Sequence, residues 1–320
     1  MSETPVISVN EYPGGILAMD SGFVRDRMAC CYLLEEKDQV AVIETGTNAS
    51  AERILAVLGQ RGWDVGEVPY VIVTHVHLDH AGGAGRLLQA LPNATLLVHP
   101  RGARHVIDPS KLEASARRVY GDEAFDRVYG SLIPVPAARV REMADGDELR
   151  FGGRTLRFVD TPGHASHHFC IHDDRSQGWF TGDTFGLSYR ELDTDRGPFV
   201  FPTTTPIDFD PHAMHTSVGK LLSAGPEWMY LTHFGRVGDV ERLAAALLSG
   251  VDALVEIAER HRDADQRQRA MARDMQDWLV AAARTHGVNL PDAALLELLA
   301  LDIELNSQGL DVWLTRRASA

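Results

Sequence analysis

The most informative stretch of this chain is Thr74-His75-Val76-His77-Leu78-Asp79-His80-Ala81-Gly82-Gly83. It places three imidazoles and one carboxylate within residues 75–80, directly after the apolar segment Tyr70–Val73, a predicted β-strand. Zinc, iron and manganese take such ligands from proteins. At strand-like spacing His75, His77 and Asp79 would share one side, and a turn after Leu78 would swing Asp79 and His80 toward a second centre. The stretch therefore predicts a metal centre.

Short β-rich segments alternate with helical patterns from Ile16 to Phe180, which predicts an α/β layered domain. The predicted strands are Ile16–Met19, Ala29–Leu34, Val40–Ile43, Tyr70–Val73, Thr95–Val98, Thr155–Val159, His168–Ile171 and Trp179–Thr181. The predicted helices are Ser50–Arg61, Gly85–Leu91 and Leu112–Tyr120.

Two later segments differ in character. Arg190–Asp210 contains three prolines and several aromatic residues, and it predicts a long ordered loop. After Gly238 apolar residues recur at helical spacing, as in Val240–Arg260, so the last 80-odd residues are predicted to be helical. We therefore divide the chain into a catalytic domain, residues 1–237, and a helical region packed on it, residues 238–320.

The composition excludes several classes of partner. The chain has 320 residues with 31 Lys and Arg against 45 Asp and Glu, a formal charge of −14, so neither a nucleic acid nor an anionic membrane is expected to bind. Three cysteines do not form a disulfide framework, which favours a reducing cytosol. The N-terminal stretch has no secretory pattern, and no apolar run approaches the ~18–20 residues that span a bilayer. We expect a soluble, cytoplasmic protein.

The stretch at residues 74–83 resembles the T-H-x-H-x-D-H-x-G-G signature of the metallo-β-lactamase fold superfamily. Other segments resemble the remaining elements of that family's pattern, over roughly residues 15 to 240. They are Thr161-Pro162-Gly163-His164, Thr181-Gly182-Asp183-Thr184, Leu231-Thr232-His233-Phe234-Gly235 and Ile43-Glu44-Thr45-Gly46, the last with Glu44 where the family usually has Asp. The glutamate at position 44 affects only a residue that would support a metal ligand.

The resemblance implies a four-layer αβ/βα sandwich with a C-terminal helical extension and a dinuclear metal site. One metal would take His75, His77 and His164, and the other Asp79, His80 and His233, with Asp183 and a water or hydroxide bridging them. The two divalent ions would be Zn²⁺, with Fe or Mn as alternatives. Bound metal lowers the pKa of water to about 7, and Asp79 would orient the hydroxide and pass a proton to the leaving group. His168 would support a ligand or simply pack.

Other residues narrow the choice among the branches of the superfamily. Tyr189 follows Asp183 by six residues, and its hydroxyl would stabilise an oxyanion if it points inward, or pack as a plain aromatic residue if it does not. Phe185, Phe199 and Phe201 would join Tyr189 in an apolar wall or pack the loop. The string at residues 99–105, with segments 183–186 and 202–206, resembles a prokaryotic subgroup grouped with lactonase-like hydrolases; glyoxalase II-like thioesterases are also similar.

Three functions are carried forward. The first is a dinuclear hydrolase that acts on a small-molecule ester, lactone or thioester. The second is an iron-dependent oxygenase of the persulfide dioxygenase type. The third is a metal-bearing interaction or sensor protein, with the C-terminal helices as its partner surface. Those helices could also form a homodimer interface.

Overall fold

The computed structural model describes residues 7–204 and 208–319. Residues 1–6, from the N-terminal stretch, residues 205–207, from the predicted loop, and residue 320 lie outside the described residues. The chain divides into two structural units. The first unit comprises segments 1–160, 167–182 and 232–235, and the second comprises segments 161–166, 183–231 and 236–320.

The first unit contains a seven-stranded sheet whose strands follow chain order. The strands are β1 (Val9–Tyr12), β2 (Ile16–Asp20), β3 (Cys30–Glu36), β4 (Gln39–Ile43), β5 (Tyr70–Ile72), β6 (Thr95–Val98) and β7 (Val140–Glu142). Strands β1 to β4 pair antiparallel, whereas β4 to β7 pair parallel. The parallel half needs crossover helices between its strands, and this explains the alternation of the sequence.

A second sheet contains four consecutive antiparallel neighbours in the order β11-β10-β9-β8. They are β8 (Glu148–Phe151), β9 (Arg154–Asp160), β10 (Phe169–Asp173) and β11 (Gly178–Gly182). The two sheets meet through aromatic side chains, since the rings of Tyr32 and Phe180 lie edge to face at 5.1 Å. Alternate side chains of β3 therefore serve different cores, because Tyr32 faces the second sheet while Cys31 and Leu33 face the other way.

Helices cover that other face of the first sheet. The helices of the first unit are α1 (Asn48–Arg61), α2 (Leu78–Ala81), α3 (Ala84–Ala90), α4 (Pro100–Ile107), α5 (Ser110–Tyr120) and α6 (Asp122–Val128). Ile54 and Leu58 of α1 and Leu87 of α3 share one buried apolar cluster with Leu33 and Val42 of the sheet. Burial of this cluster is the main stabilising contribution to the unit.

The second unit is mostly helical. Its helices are α7 (Pro211–Ser223), α8 (Val240–Arg260), α9 (Arg267–His286) and α10 (Asp292–Ser319), while β12 (Trp228–Leu231) and β13 (Gly235–Val237) flank residues 232–234. Helices α8, α9 and α10 contact one another. The apolar positions predicted from helical spacing are buried, among them Leu243, Leu247, Met275 and Leu299.

The α/β class and the C-terminal helices are confirmed, and all eight predicted strands occur within one or two residues of their predicted ends. The strands missed are β1, β7, β8, β12 and β13, which have three or four residues each and too few alternations to show a period. The boundary between residues 237 and 238 stays a prediction. Among the described residues no helix has the length and apolar character needed to cross a bilayer.

Candidate metal centre

The histidine-rich stretch follows β5, but it is not extended. Strand β5 ends at Ile72, and Leu78–Ala81 forms the short helix α2, which begins after His77. The strand-like spacing predicted through Asp79 is therefore wrong, because the backbone of Asp79 and His80 is already helical; the chain does turn, one residue before the predicted turn after Leu78. The bend still gathers the imidazoles: His75 Nε2 lies 2.7 Å from His77 Nδ1, and the rings of His75 and His80 are 4.0 Å apart.

Asp79, His80 and His233 form a compact group in the first unit. Their candidate ligand atoms all lie within 4.8 Å of one another. Asp79 Oδ2 is 3.6 Å from His80 Nε2 and 3.3 Å from His233 Nε2. Ligands bound tetrahedrally at about 2.0–2.1 Å from zinc are roughly 3.3 Å apart, so these spacings fit a shared cation.

The Nδ1 atoms of His80 and His233 each lie within hydrogen-bond distance of an acceptor. His80 Nδ1 lies 3.2 Å from Glu44 Oε1, and His233 Nδ1 lies 2.9 Å from the carbonyl oxygen of Met28. A carbonyl and a carboxylate only accept, so in the neutral rings the proton belongs on Nδ1 in each case. Each Nε2 lone pair is then directed toward the Asp79 carboxylate, an arrangement that a bound cation stabilises. The donor set therefore fits a divalent metal.

Glu44 is buried and contacts His80 of this group. Besides His80, its carboxylate accepts from Thr74 Oγ1, from the Thr74 backbone N–H at 3.3 Å and from Thr232 Oγ1 at 3.4 Å. Its backbone has a φ of +66°, in the left-handed region. Glutamate at this position thus reaches His80, a candidate ligand, from the place where the family usually has aspartate.

His167 and His168 lie beside the histidine-rich stretch. The His168 ring stacks on His75 with centroids 4.7 Å apart, and His167 Nδ1 is 3.4 Å from the backbone nitrogen of Val76. Gly182 permits this close packing, because a Cβ there would lie 2.6 Å from His168 Nε2. His167 and His168 therefore both lie close to the candidate ligands.

His164 and Asp183 are brought together in the second unit. His164 Nε2 lies 3.3 Å from Asp183 Oδ2, and both side chains are buried. Gly163 before the histidine has a φ of +133°, and a Cβ there would lie 2.5 Å from the backbone nitrogen of Met214. Only glycine fits this turn, which explains the Pro-Gly-His order of the segment.

Tyr189 and its aromatic neighbours are buried in the second unit. The Tyr189 hydroxyl donates to the carboxylate of Asp302, with oxygen distances of 3.0 and 3.2 Å. Its ring contacts Phe201, which stacks on Phe199. The oxyanion role predicted for Tyr189 stays a prediction.

Sequence reasoning missed several residues that shape these groups. Asp302 lies on the buried face of the apolar helix α10, and a lone carboxylate between Leu299 and Ile303 was the signal that could have identified it. Met28 contributes through its backbone carbonyl, which carries no side-chain signal.

Comparison with known proteins identifies related sequences. A family model described as the metallo-beta-lactamase superfamily matches residues 24–233. The metallo-beta-lactamase fold-containing protein ST1585 of Sulfurisphaera tokodaii is 31% identical over 175 residues, which cover 53% of this chain and 62% of that protein. A hydroxyacylglutathione hydrolase of Rhodopseudomonas palustris is 29% identical over 153 residues, covering 48% of this chain and 46% of that protein. The chain thus spans only about half to three-fifths of these relatives.

Solved structures share the fold. The crystal structure of ST1585 from Sulfolobus tokodaii has a TM-score of 0.63 at 24% identity and covers 96% of this chain and 99% of that one. The metallo-beta-lactamase family protein TTHA1429 of Thermus thermophilus has a TM-score of 0.66 at 19% identity and covers 96% and 94%. Because the family model covers well over half of its residues, the chain belongs to the metallo-beta-lactamase superfamily.

Proposed function

We propose that this chain is a dinuclear metal-dependent hydrolase acting on a small ester, lactone or thioester. The observation that carries the proposal is the group of Asp79, His80 and His233, whose ligand atoms converge within 4.8 Å. The hydroxyacylglutathione hydrolase among the relatives supports hydrolysis as the reaction class. Zinc suits the imidazole and carboxylate donors, and iron or manganese would also bind them.

Asp79, His80 and His233 would hold one ion. His75 and His77 would contribute to the second, and the resemblance adds His164 and Asp183 to the ligand set. When bound, the ions supply an activated water with a pKa near 7 and polarise the substrate carbonyl.

Asp79 is suited to move the proton of the reaction. Its side chain keeps 22% of its surface exposed, whereas the imidazole of His80 is fully buried. One carboxylate oxygen faces the two Nε2 atoms, so the other can accept a proton from the attacking water and deliver it to the leaving oxygen or sulfur. Glu44 and the Met28 carbonyl keep the two rings in place during this transfer.

The test begins with the metal content of protein purified without chelator or added metal, measured by mass spectrometry. The same preparation is then assayed with a panel of esters, lactones and thioesters. Asp79→Ala is compared with Asp38→Ala, which removes an exposed carboxylate in the turn between β3 and β4. We expect about two ions per chain, turnover of at least one substrate class, and loss of turnover only in Asp79→Ala.

Three outcomes would contradict the proposal. Asp79→Ala protein that retains full turnover would remove the mechanism. Two bound ions with no turnover across the panel would favour a metal-bearing interaction protein. About one iron per chain, with oxygen consumed on a persulfide, would establish the oxygenase instead.

A further inference from the structure

The loop between β2 and β3, residues 21–29, is attached to the segment that carries His233. The backbone N–H of Cys30, the first residue of β3, donates to the carbonyl oxygen of Thr232 at 2.8 Å. The carbonyl oxygen of Met28 lies 2.9 Å from His233 Nδ1. Both segments belong to the first unit. The end of this loop therefore lies beside a candidate ligand of the group of Asp79, His80 and His233.

The loop has an unusual backbone that fixes the position of Arg27. Val24 and Arg27 both have a φ of +56°, in a region that residues with a Cβ seldom occupy. The buried carboxylate of Asp20 holds this conformation, because it accepts from the backbone N–H of Gly22 at 2.9 Å and from that of Arg27 at 3.0 Å. An unfavourable backbone that its neighbours hold in place is typical of segments that contact a ligand.

The Arg27 side chain lies over Phe234, the residue that follows His233. Its guanidinium carbon is 5.8 Å from the centroid of the Phe234 ring. The ring is buried, whereas Arg27 is exposed. An aromatic face attracts a guanidinium placed over it and leaves the N–H donors of the guanidinium available to an anion. The side chain of Arg27 is thus held at the surface next to a candidate ligand.

The surroundings of Arg27 are positively charged in an otherwise acidic chain. Arg25 lies two residues before it, and Arg53 of α1 donates through Nε to the carbonyl oxygen of Asp20 at 3.0 Å. The Asp20 carboxylate is engaged by backbone donors, and Asp26 is the one acidic residue at positions 21–29. The whole chain has a formal charge of −14. Three arginines gathered at one loop would therefore attract an anion to this part of the surface.

We propose that Arg27 binds a carboxylate group of the substrate whose reacting carbonyl lies at the candidate metal centre. The inference rests on the proposed function and specifies its substrate as an ester, lactone or thioester with a carboxylate remote from the bond to be hydrolysed. A planar guanidinium binds a carboxylate through two parallel N–H···O bonds. Arg27 precedes Met28, which contacts His233, and its guanidinium lies over the ring that follows His233, so the anion would be held beside the metal centre.

The first experiment measures carboxylate binding to zinc-loaded protein by calorimetry. Glutarate and suberate are compared with pentanoate and octanoate, which have the same chain lengths and one carboxylate fewer. The variants are Arg27→Met, which keeps an unbranched stem over the Phe234 ring without the charge, and Arg27→Lys, which keeps the charge. Arg141→Met removes an exposed arginine of β7 and is the matched control. Metal content and thermal midpoint are recorded for every variant.

Wild-type protein should prefer at least one dicarboxylate to its matched monocarboxylate by about fivefold, the factor that a well-formed exposed ion pair gives. Arg27→Met should abolish this preference. Arg27→Lys should retain part of it, because an ammonium keeps the charge without the paired N–H donors. Arg141→Met should match wild type. Raising the ionic strength from about 0.05 M to about 0.5 M should reduce the wild-type preference, because salt screens charges at the surface.

The second experiment compares turnover of the monophenyl ester of the better dicarboxylate with that of the phenyl ester of its matched monocarboxylate. Wild-type protein should show the higher kcat/KM on the acidic ester. Arg27→Met should reduce this advantage mainly by raising KM, because Arg27 binds a part of the substrate that is remote from the reacting carbonyl.

Other outcomes would overturn the inference. Wild-type protein that binds both members of each pair equally, or a preference that Arg27→Met retains, would remove the anion contact. If Arg27→Met loses the preference together with its bound metal, Arg27 supports His233 and is structural. Dicarboxylate binding that depends on Arg27, in a protein that hydrolyses no ester, would refute the proposed function and leave the anion site standing. Hydrolysis of both phenyl esters with no dependence on Arg27 would do the reverse.

Discussion

Replacing Glu44 with glutamine removes one charge from the support of the candidate metal centre and keeps the side-chain volume. The Glu44 carboxylate is buried and meets only donors: Thr74 Oγ1, His80 Nδ1 and Thr232 Oγ1 at one oxygen, and the Thr74 backbone N–H at the other. An amide has one oxygen and one NH2 group, so in either orientation the NH2 faces a donor.

Two losses follow from this mismatch. A buried donor left without an acceptor costs about 1–3 kcal/mol, so the free energy of unfolding of the metal-free protein should fall by that amount. Loss of the partner that fixes a ligand histidine lowers metal affinity by about 10–100-fold. That factor corresponds to roughly 1.4–2.7 kcal/mol of binding free energy.

The assay is competition for zinc against a chromophoric chelator at neutral pH, with urea denaturation of the metal-free protein followed by circular dichroism. Glu148→Gln, an exposed carboxylate on β8, is the matched control and should change neither quantity. Glu44→Asp keeps the charge and suits the left-handed backbone better, but its chain is one methylene shorter. Zinc affinity in Glu44→Gln within about threefold of wild type would refute the supporting role of Glu44.

Four further predictions concern other sites. Arg154→Met should lower the free energy of unfolding by about 3–5 kcal/mol in urea, because it leaves the fully buried Asp173 carboxylate, now 3.0 Å from the guanidinium, without that partner and removes one of the two arginines that pair with Glu36; a loss as small as that of an exposed ion pair would contradict this. Burial raises the pKa of Glu36, but its hydrogen bonds to Arg175 and Arg154 outweigh burial and hold the pKa below the ordinary 4.5. The stabilisation that the Glu36 carboxylate contributes is therefore complete above pH 4.5 and is lost as pH falls through the lowered pKa. Acid titration of unfolding should show this slope in wild type and a smaller one in Arg154→Met. A double-mutant cycle of Tyr189→Phe and Asp302→Asn should give a coupling of about 0.5–3 kcal/mol, whereas additive effects would mean that their hydrogen bond contributes nothing. Burial raises the pKa of the Cys30 thiol to about 12, so iodoacetamide should label it only in unfolded protein, and labelling of the native protein at pH 8 would contradict its burial.

Much of the candidate centre could be predicted because its chemistry is local. Four of the five candidate ligands in the first unit occupy residues 75–80, and no packing information is needed to see them. The conformation of that stretch was predicted less well. Strand-like spacing was predicted through Asp79 with a turn after Leu78, whereas the chain turns into α2 already after His77. A Cβ at Gly83 would lie 2.4 Å from the carbonyl oxygen of Thr47, a tertiary contact that the local sequence does not show.

Residues that act through long-range contacts had no local signal. Asp302 in α10 reads as an ordinary polar interruption until Tyr189, 113 positions away, is found donating to it. Tyr129 follows a helix rich in charged residues, and only the tertiary structure brings its ring within 6.1 Å of the Phe23 ring.

The sequence by itself therefore determined the α/β class, the kinds of ligand atom and the family, because these depend on periodicity and on short motifs. Only the tertiary structure decided which nitrogen of each histidine is available. The Met28 carbonyl meets His233 across 205 positions, and Glu44 meets His80 across 36. Such contacts depend on the path of the whole backbone, and the propensity of no single segment encodes that path.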